Sequence, residues 1–264
     1  MSAEHAKYLK GLRLRKRLVR LARALLLAAA LGLWEGLARL GAIDPFIVSS
    51  PSRVVKTLVS LCARGELFPH IAATLCETVL GFVSGTALGV LAAVLLWACP
   101  FMERVLDPYL VILNALPKIA LGPILIVWVG AGAEAIIVMA LLVSTVVTVM
   151  TVLAGFMEIT GEKRQLMASL GATRAQTFVK AVLPASLPTI MSALKISVGM
   201  SWVGVIVGEY LVSKRGLGYL IVYGGQVFRL DLVMASITVL CALAAIMYYA
   251  VAACERRINR RFGR

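Results

Sequence analysis

Charge is scarce in this chain. Only 15% of its 264 residues are Asp, Glu, Lys or Arg, and just 13 are acidic. Histidine is scarcer still: His5 and His70 are too few and too far apart to clamp a metal. The five cysteines (Cys62, Cys76, Cys99, Cys241 and Cys254) form no C-x-x-C spacing, so they read as small apolar fillers and imply neither metal nor disulfide. No Gly-Lys dipeptide occurs, which removes the G-x-x-x-x-G-K-[ST] loop that cradles a nucleotide's phosphates. ATP hydrolysis by this chain is therefore not expected, and no cofactor of its own is implied. No Ser, His and Asp arrangement suggests a hydrolase. The basic runs at 10–23 and 256–261 contain no aromatic residue to stack on a base, so the net charge of +14 does not point to nucleic acid.

What the chain has is apolar length. Soluble domains are about 45–50% apolar; this one is 61% apolar, with a mean hydropathy of +0.92. A soluble core of that composition would lack the polar surface to cover it, whereas lipid solvates apolar faces directly. A spanning helix needs about 20 mostly apolar residues. Three stretches carry no charge at all: Thr78 to Met102, Ala135 to Met157, and Leu232 to Cys254. Three more carry isolated charges. Ala24–Ala42 holds Glu35 and Arg39, four apart and able to pair on one helix face. Pro108–Ala133 holds only Lys118, and Pro188–Val212 holds Lys195 and Glu209. The expected fold is an all-α membrane protein of six transmembrane helices, with the polar interruptions on the odd-numbered spans.

Basic residues set the orientation. Eight lie in the first 23 residues, and five (Arg256, Arg257, Arg260, Arg261 and Arg264) follow Glu255. Lys163, Arg164, Arg174, Lys180 and Lys195 cluster between spans four and five, and Arg104 lies between two and three. Nineteen of the 27 Lys and Arg then share one side, the cytoplasm, with both termini. An even number of spans is what allows this. The N-terminus has the positive-then-apolar order of a signal peptide. Its apolar segment runs on through Trp34 to Leu40, so an uncleaved first span is expected.

Two local patterns stand out. Gly81, Gly85 and Gly89 recur every fourth residue on span two, and Gly204 and Gly208 repeat the spacing on span five. Such faces let two helix backbones approach closely, which is what holds helices together in lipid. The segment from Glu158 to Leu187 is too polar to span and too patterned for a passive loop. It reads as two short amphipathic helices on the cytoplasmic face. Gly171 ends the first by accepting a left-handed backbone, Thr173 caps the second, and Leu183-Pro184 is expected to stop it.

That segment resembles the coupling loop of ABC importer permeases, whose pattern is Glu-Ala-Ala, three residues, Gly, nine residues, an apolar residue, any residue and Leu-Pro. Gly171, Ala181, Leu183 and Pro184 match it, while Gln165, Leu166 and Met167 stand where Glu-Ala-Ala would be. Ser50-Pro51-Ser52, Gly65-Glu66-Leu67, Leu106-Asp107-Pro108, Pro117 to Trp128, and Gly216 to Leu220 are similar to the branch that includes nitrate, taurine, alkanesulfonate and bicarbonate permeases. The resemblance covers roughly residues 45–255.

It implies a type I importer permease fold in a bacterial inner membrane. The divisions would be a basic cytoplasmic segment (1–23), a first span with extracytoplasmic segment (24–65), the transmembrane domain (66–255) with its coupling loop (158–187), and a basic tail (256–264). It also implies partners: a second permease subunit, most simply another copy, two cytoplasmic ATPase subunits that use the ATP, and an extracytoplasmic binding protein, all around a chain bathed in membrane lipid. Gln165, Ala168, Gly171, Ala172, Phe178, Leu183 and Pro184 would meet the ATPase. The solute would be small and of the sulfonate, nitrate or taurine type.

Intramembrane polar groups tend to face the protein interior or an aqueous cavity. Asn114, Lys118, Trp202 and Glu209 are therefore candidates for the pathway. The alternatives are that Lys118 reaches an interface or pairs with Glu209, and that Trp202 only packs. Two other classes compete: a secondary transporter independent of ATP, which would carry repeats or broken helices in matching halves, and a membrane-embedded enzyme, which would need clustered His, Asp or Glu within the spans.

Overall fold

The computed structural model describes residues 3–158 and 161–261; these are helical throughout, with short turns between elements and no strand among them. The chain opens with α1 (Ala3–Arg39), followed by the short α2 (Pro45–Val48) and α3 (Pro51–Ala63). Local chemistry sets these starts. Asp44 accepts from the N–H of Phe46 at 2.8 Å, and Ser50 caps α3, each just before a proline whose missing N–H costs nothing in a first turn. The expected Glu35–Arg39 pair forms at 2.7 Å.

Next come α4 (Leu67–Ala98), α5 (Pro100–Ala115), a 3₁₀ turn (Lys118–Leu121), α6 (Gly122–Val129) and α7 (Ala133–Met157). The coupling segment contributes α8 (Gly161–Ser169) and α9 (Arg174–Thr177), then a π turn (Phe178–Val182). The chain ends with α10 (Leu183–Val212), α11 (Leu217–Gln226) and α12 (Leu230–Arg261). Among the described residues five helical runs are long and apolar enough to cross a membrane: Arg17–Arg39, Leu67–Ala98, Ala133–Met157, Arg174–Val212 and Leu230–Ile258.

Two expectations need correction. The continuous span over Pro108–Ala133 does not exist. Its residues belong instead to a pair of apolar segments, Pro100–Ala115 and Lys118–Val129, bent by 85°. Pro117 forces the bend by driving Leu116 to extended backbone, with ψ at 131°. Counted as one broken span, the pair brings the number to six. Nor does Leu183-Pro184 stop a helix. The chain stays helical from Arg174 to Val212 because Pro184 sits in the first turn of α10. The π turn before it widens the coil, so that the Leu183 N–H donates back to Phe178 rather than to the residue four before it.

The core is built around α7, with α4 on one side and α10 on the other. The glycines make both contacts possible. A Cβ at Gly81 would meet Ala140, one at Gly89 would meet Thr148, and one at Gly204 would sit 2.5 Å from the Ala140 Cα. With the α4 and α7 backbones this close, the Thr145 hydroxyl donates across to the Gly85 carbonyl at 3.2 Å. The three helices also share a buried hydroxyl chain in which Ser197 lies 3.3 Å from Thr86 and 3.0 Å from Thr148. The cysteines do not fill this core. All five are free and exposed, on the outer faces that lipid or a partner would cover.

Candidate functional site

The coupling segment forms a corner. Gly171 takes φ +70°, and its missing Cβ would have nothing within 4 Å. Thr173 then starts α9 with a reciprocal cap, accepting from the Gln176 N–H at 3.2 Å while its own N–H donates to the Gln176 side chain at 2.9 Å. Phe178 anchors the corner to the bundle. Its ring lies 4.8 Å from Trp97 of α4 and 5.3 Å from Phe156 of α7, centroid to centroid. Leu183 packs on the same cluster, which includes Val182 and Leu96.

Gln165, Ala168 and Gly171 stay exposed, Pro184 is half-buried, and Ala168 and Ala172 line an open hollow of about 660 Å³ bounded by Trp97, Arg104 and Arg174. The consequence is mechanical: α9, the π turn and α10 form one rod running from this corner through the membrane.

A second polar centre sits at the other end of the bundle, where the turn between α10 and α11 meets the start of α4. Glu209 is 1% exposed and accepts from the Gly218 N–H at 2.5 Å. The Thr74 hydroxyl accepts from the Leu217 N–H at 2.8 Å and donates to the His70 carbonyl at 3.1 Å. His70 Nδ1 lies 2.9 Å from the Gly216 N and 3.1 Å from the Gly216 carbonyl oxygen, and the His70 ring stacks on Tyr219 at 6.0 Å. The Gly216 to Leu220 motif is thus a helix start whose N–H groups are spent on α4 and on Glu209. Gly216 is needed there because its φ is +111° and the Glu209 carboxyl occupies the place of a Cβ.

Thr74→Val should leave the wholly buried Leu217 N–H without its acceptor and cost about 1–3 kcal/mol. Thermal unfolding of the purified protein measures it, against Thr238→Val, whose exposed hydroxyl only bonds back to Met234. Equal shifts for the two variants would show that the Thr74 bond carries no such weight.

The four candidate pathway residues do not come together. Lys118 donates to the Asn114 carbonyl at 3.1 Å across the bend after α5, and Asn114 is exposed. Of the alternatives for Lys118, pairing with Glu209 gives way to this local contact. Trp202 is 5% exposed and packs among Val198, Leu217, Leu220 and Leu232, its indole N–H without a partner. Sequence reading missed Glu77, treating it only as the edge of an uncharged run. It is 7% exposed, its carboxyl lies against that of Glu209, and its Oε2 is buried without a hydrogen-bond partner. The signal was its apolar flanks, since a carboxylate inside a span marks a functional position by default.

Comparison with known proteins places this geometry. Residues 85–262 match the family described as binding-protein-dependent transport system inner membrane component. The chain is 27% identical to the taurine transport system permease protein TauC of Escherichia coli over 238 residues, 88% of this chain and 86% of that one. It is 30% identical to a probable ABC transporter permease protein of Haemophilus influenzae, over 88% of this chain and 95% of that one. It is 29% identical to the formylaminopyrimidine transport permease protein ThiX of Halalkalibacterium halodurans, over 71% of this chain and 74% of that one. In fold it is similar to a chain of the MetNI methionine ABC transporter in an inward-facing conformation, with a TM-score of 0.65, 22% identity, and coverage of 73% of this chain and 95% of that one.

Proposed function

Because the chain belongs to the family of binding-protein-dependent transport system inner membrane components, we propose that it is the permease subunit of an ATP-driven importer for a small solute of the sulfonate or taurine type. It is a multi-pass inner-membrane protein. Two copies would form the pathway, two cytoplasmic ATPase subunits would hydrolyse the ATP, and a binding protein would deliver solute from outside. Both termini and the 158–187 segment then lie in the cytoplasm, and residues 66–255 form the transport domain.

One observation carries the mechanism: the corner at Gly171 leads directly into the helical run Arg174–Val212 that contains α10. Thr173's reciprocal cap and the Phe178 anchor tie the corner to the bundle, and the run stays helical through the π turn, Pro184 and Pro188. A groove that grips Gln165, Ala168 and Ala172 would therefore move α10, and with it α7, as one body. Gln165 offers this groove a neutral side-chain amide, worth about 0.5–1.5 kcal/mol net for a hydrogen bond, where the related loops offer a carboxylate. What supports a sulfonate-like solute is the naming of two relatives, a taurine permease and a putative aliphatic sulfonates transport permease protein of Bacillus subtilis that is 28% identical. Uptake into vesicles holding the permease with its ATPase tests the reading. Uptake should require ATP on the loop side and binding protein on the other. Uptake driven by an ion gradient without the ATPase would refute it.

A further inference from the structure

A cleft of about 640 Å³ opens at the end of the bundle remote from the coupling corner, between α4, α7 and the turn joining α10 to α11. That volume is in the range of small-molecule sites. Its walls are mostly apolar, among them Leu80, Ile136, Ile137 and Val212, and three charged side chains line it: Glu77, Lys214 and Arg215. The charges differ in setting. Glu77 is 93% withdrawn from solvent and belongs to the membrane-buried part of α4, while Lys214 and Arg215 are exposed on the turn.

Glu77 has no internal reason to be acidic. Its carboxyl abuts that of Glu209, so no cation balances it from behind, and neither carboxylate joins an ion pair among the described residues. Glu209 accepts from the Gly218 N–H through Oε2 and so has a structural task, although its Oε1 is buried without a hydrogen-bond partner. Glu77 lines the cleft, with its own Oε2 buried behind the lining and unpartnered. An unpaired acceptor in a low-dielectric wall is costly unless a ligand satisfies it. Lys214 and Arg215 likewise enter no ion pair among the described residues. The cleft therefore presents a deep acceptor for a positive group and a basic rim for an acid group, with apolar surface between them.

We propose that this cleft is a receiving site for a zwitterionic solute, whose ammonium group meets Glu77 and whose sulfonate or carboxylate meets Lys214 and Arg215. The inference rests on the permease reading, under which this end of the bundle faces the side from which solute arrives. It narrows the solute class to zwitterions, excluding simple sulfonates. A charge-assisted contact is about twice as strong as a neutral hydrogen bond, so a ligand carrying one charge forfeits one of the two strong contacts.

The test is direct binding to the purified permease–ATPase complex in nanodiscs, with three probes: taurine, ethanesulfonate (the same acid without the amine) and ethylamine (the amine without the acid). Taurine should bind at least tenfold more tightly than either. Glu77→Gln should bring taurine down to the level of ethanesulfonate and leave ethanesulfonate unchanged. Lys214→Gln with Arg215→Gln, both at exposed positions, should weaken taurine and spare ethylamine. That second variant decides the matter if the Glu77 variant does not assemble. Equal binding of taurine and ethanesulfonate by the unaltered complex, binding of neither, or discrimination that survives the substitutions would overturn the proposal. Co-purification of the ATPase and ATP hydrolysis are read in the same samples. If both persist while discrimination is absent, only the cleft assignment falls; if both are missing, the permease reading falls with it.

Discussion

Gly171→Leu is expected to insert, fold and co-purify nearly as the unaltered chain does, yet to lose most ATP-driven uptake. Two features of the corner separate these effects. Gly171 is exposed and its missing Cβ points into open space, so leucine meets no steric block. Its φ of +70° is the whole cost, about 1–2 kcal/mol for a residue with a Cβ. That cost falls on the corner alone. The chain relieves it by abandoning the left-handed turn, which re-aims α8 relative to the rod of α9 and α10. Surface presented to the ATPase is then misplaced, while the bundle beyond Phe178 keeps its packing. Uptake should fall at least tenfold, and basal ATP hydrolysis by the complex should persist without stimulation by solute. Uptake at the unaltered rate would mean that the corner transmits nothing.

Gly204→Ala is expected to damage the protein itself. A Cβ at 204 would lie 2.5 Å from the Ala140 Cα and 2.9 Å from its N, both backbone atoms of α7 that cannot rotate away. The helices must separate, which loosens the contacts of Val205 with Ile136 and Ala140. Overpacking of this kind costs about 1–3 kcal/mol. Gly199→Ala on the same helix is the control: nothing lies within 4 Å of its Cβ. There the gain in helix propensity, up to about 1 kcal/mol, stands unopposed. Reversible unfolding in mild detergent should show the 204 variant less stable and the 199 variant unchanged or more stable. The opposite order would mean that α7 and α10 do not meet through these glycines.

Much of this could be read from the chain, and the failures share a cause. Uncharged runs reveal spans because lipid punishes charge wherever it falls. Gly171 and Thr173 reveal a corner because helix ends are decided within a few residues. The every-fourth glycines reveal α4 and α10 as close-packing helices, but not that α7 is the partner between them. The break at Leu116-Pro117 escaped because hydropathy records composition and not direction. Pro184 misled because a proline ends a helix from within but fits its first turn, and the π turn that places it there leaves no mark in the sequence. Lys118 went to a local acceptor across the bend, the Asn114 carbonyl, rather than to a distant carboxylate. Glu77 and Glu209 meet only because α4 and α10 both pack on α7, which no local pattern encodes.

The account turns on whether the Gly171 corner is what an ATPase grips. A photo-crosslinking residue placed at Ala172, with a second chain carrying it at Lys214, asks this directly in intact membranes. The prediction is an adduct from position 172 to a protein bearing a G-x-x-x-x-G-K-[ST] loop, with a yield that changes on adding ATP, and no such adduct from position 214. An ATPase adduct from 214 and none from 172 would contradict it.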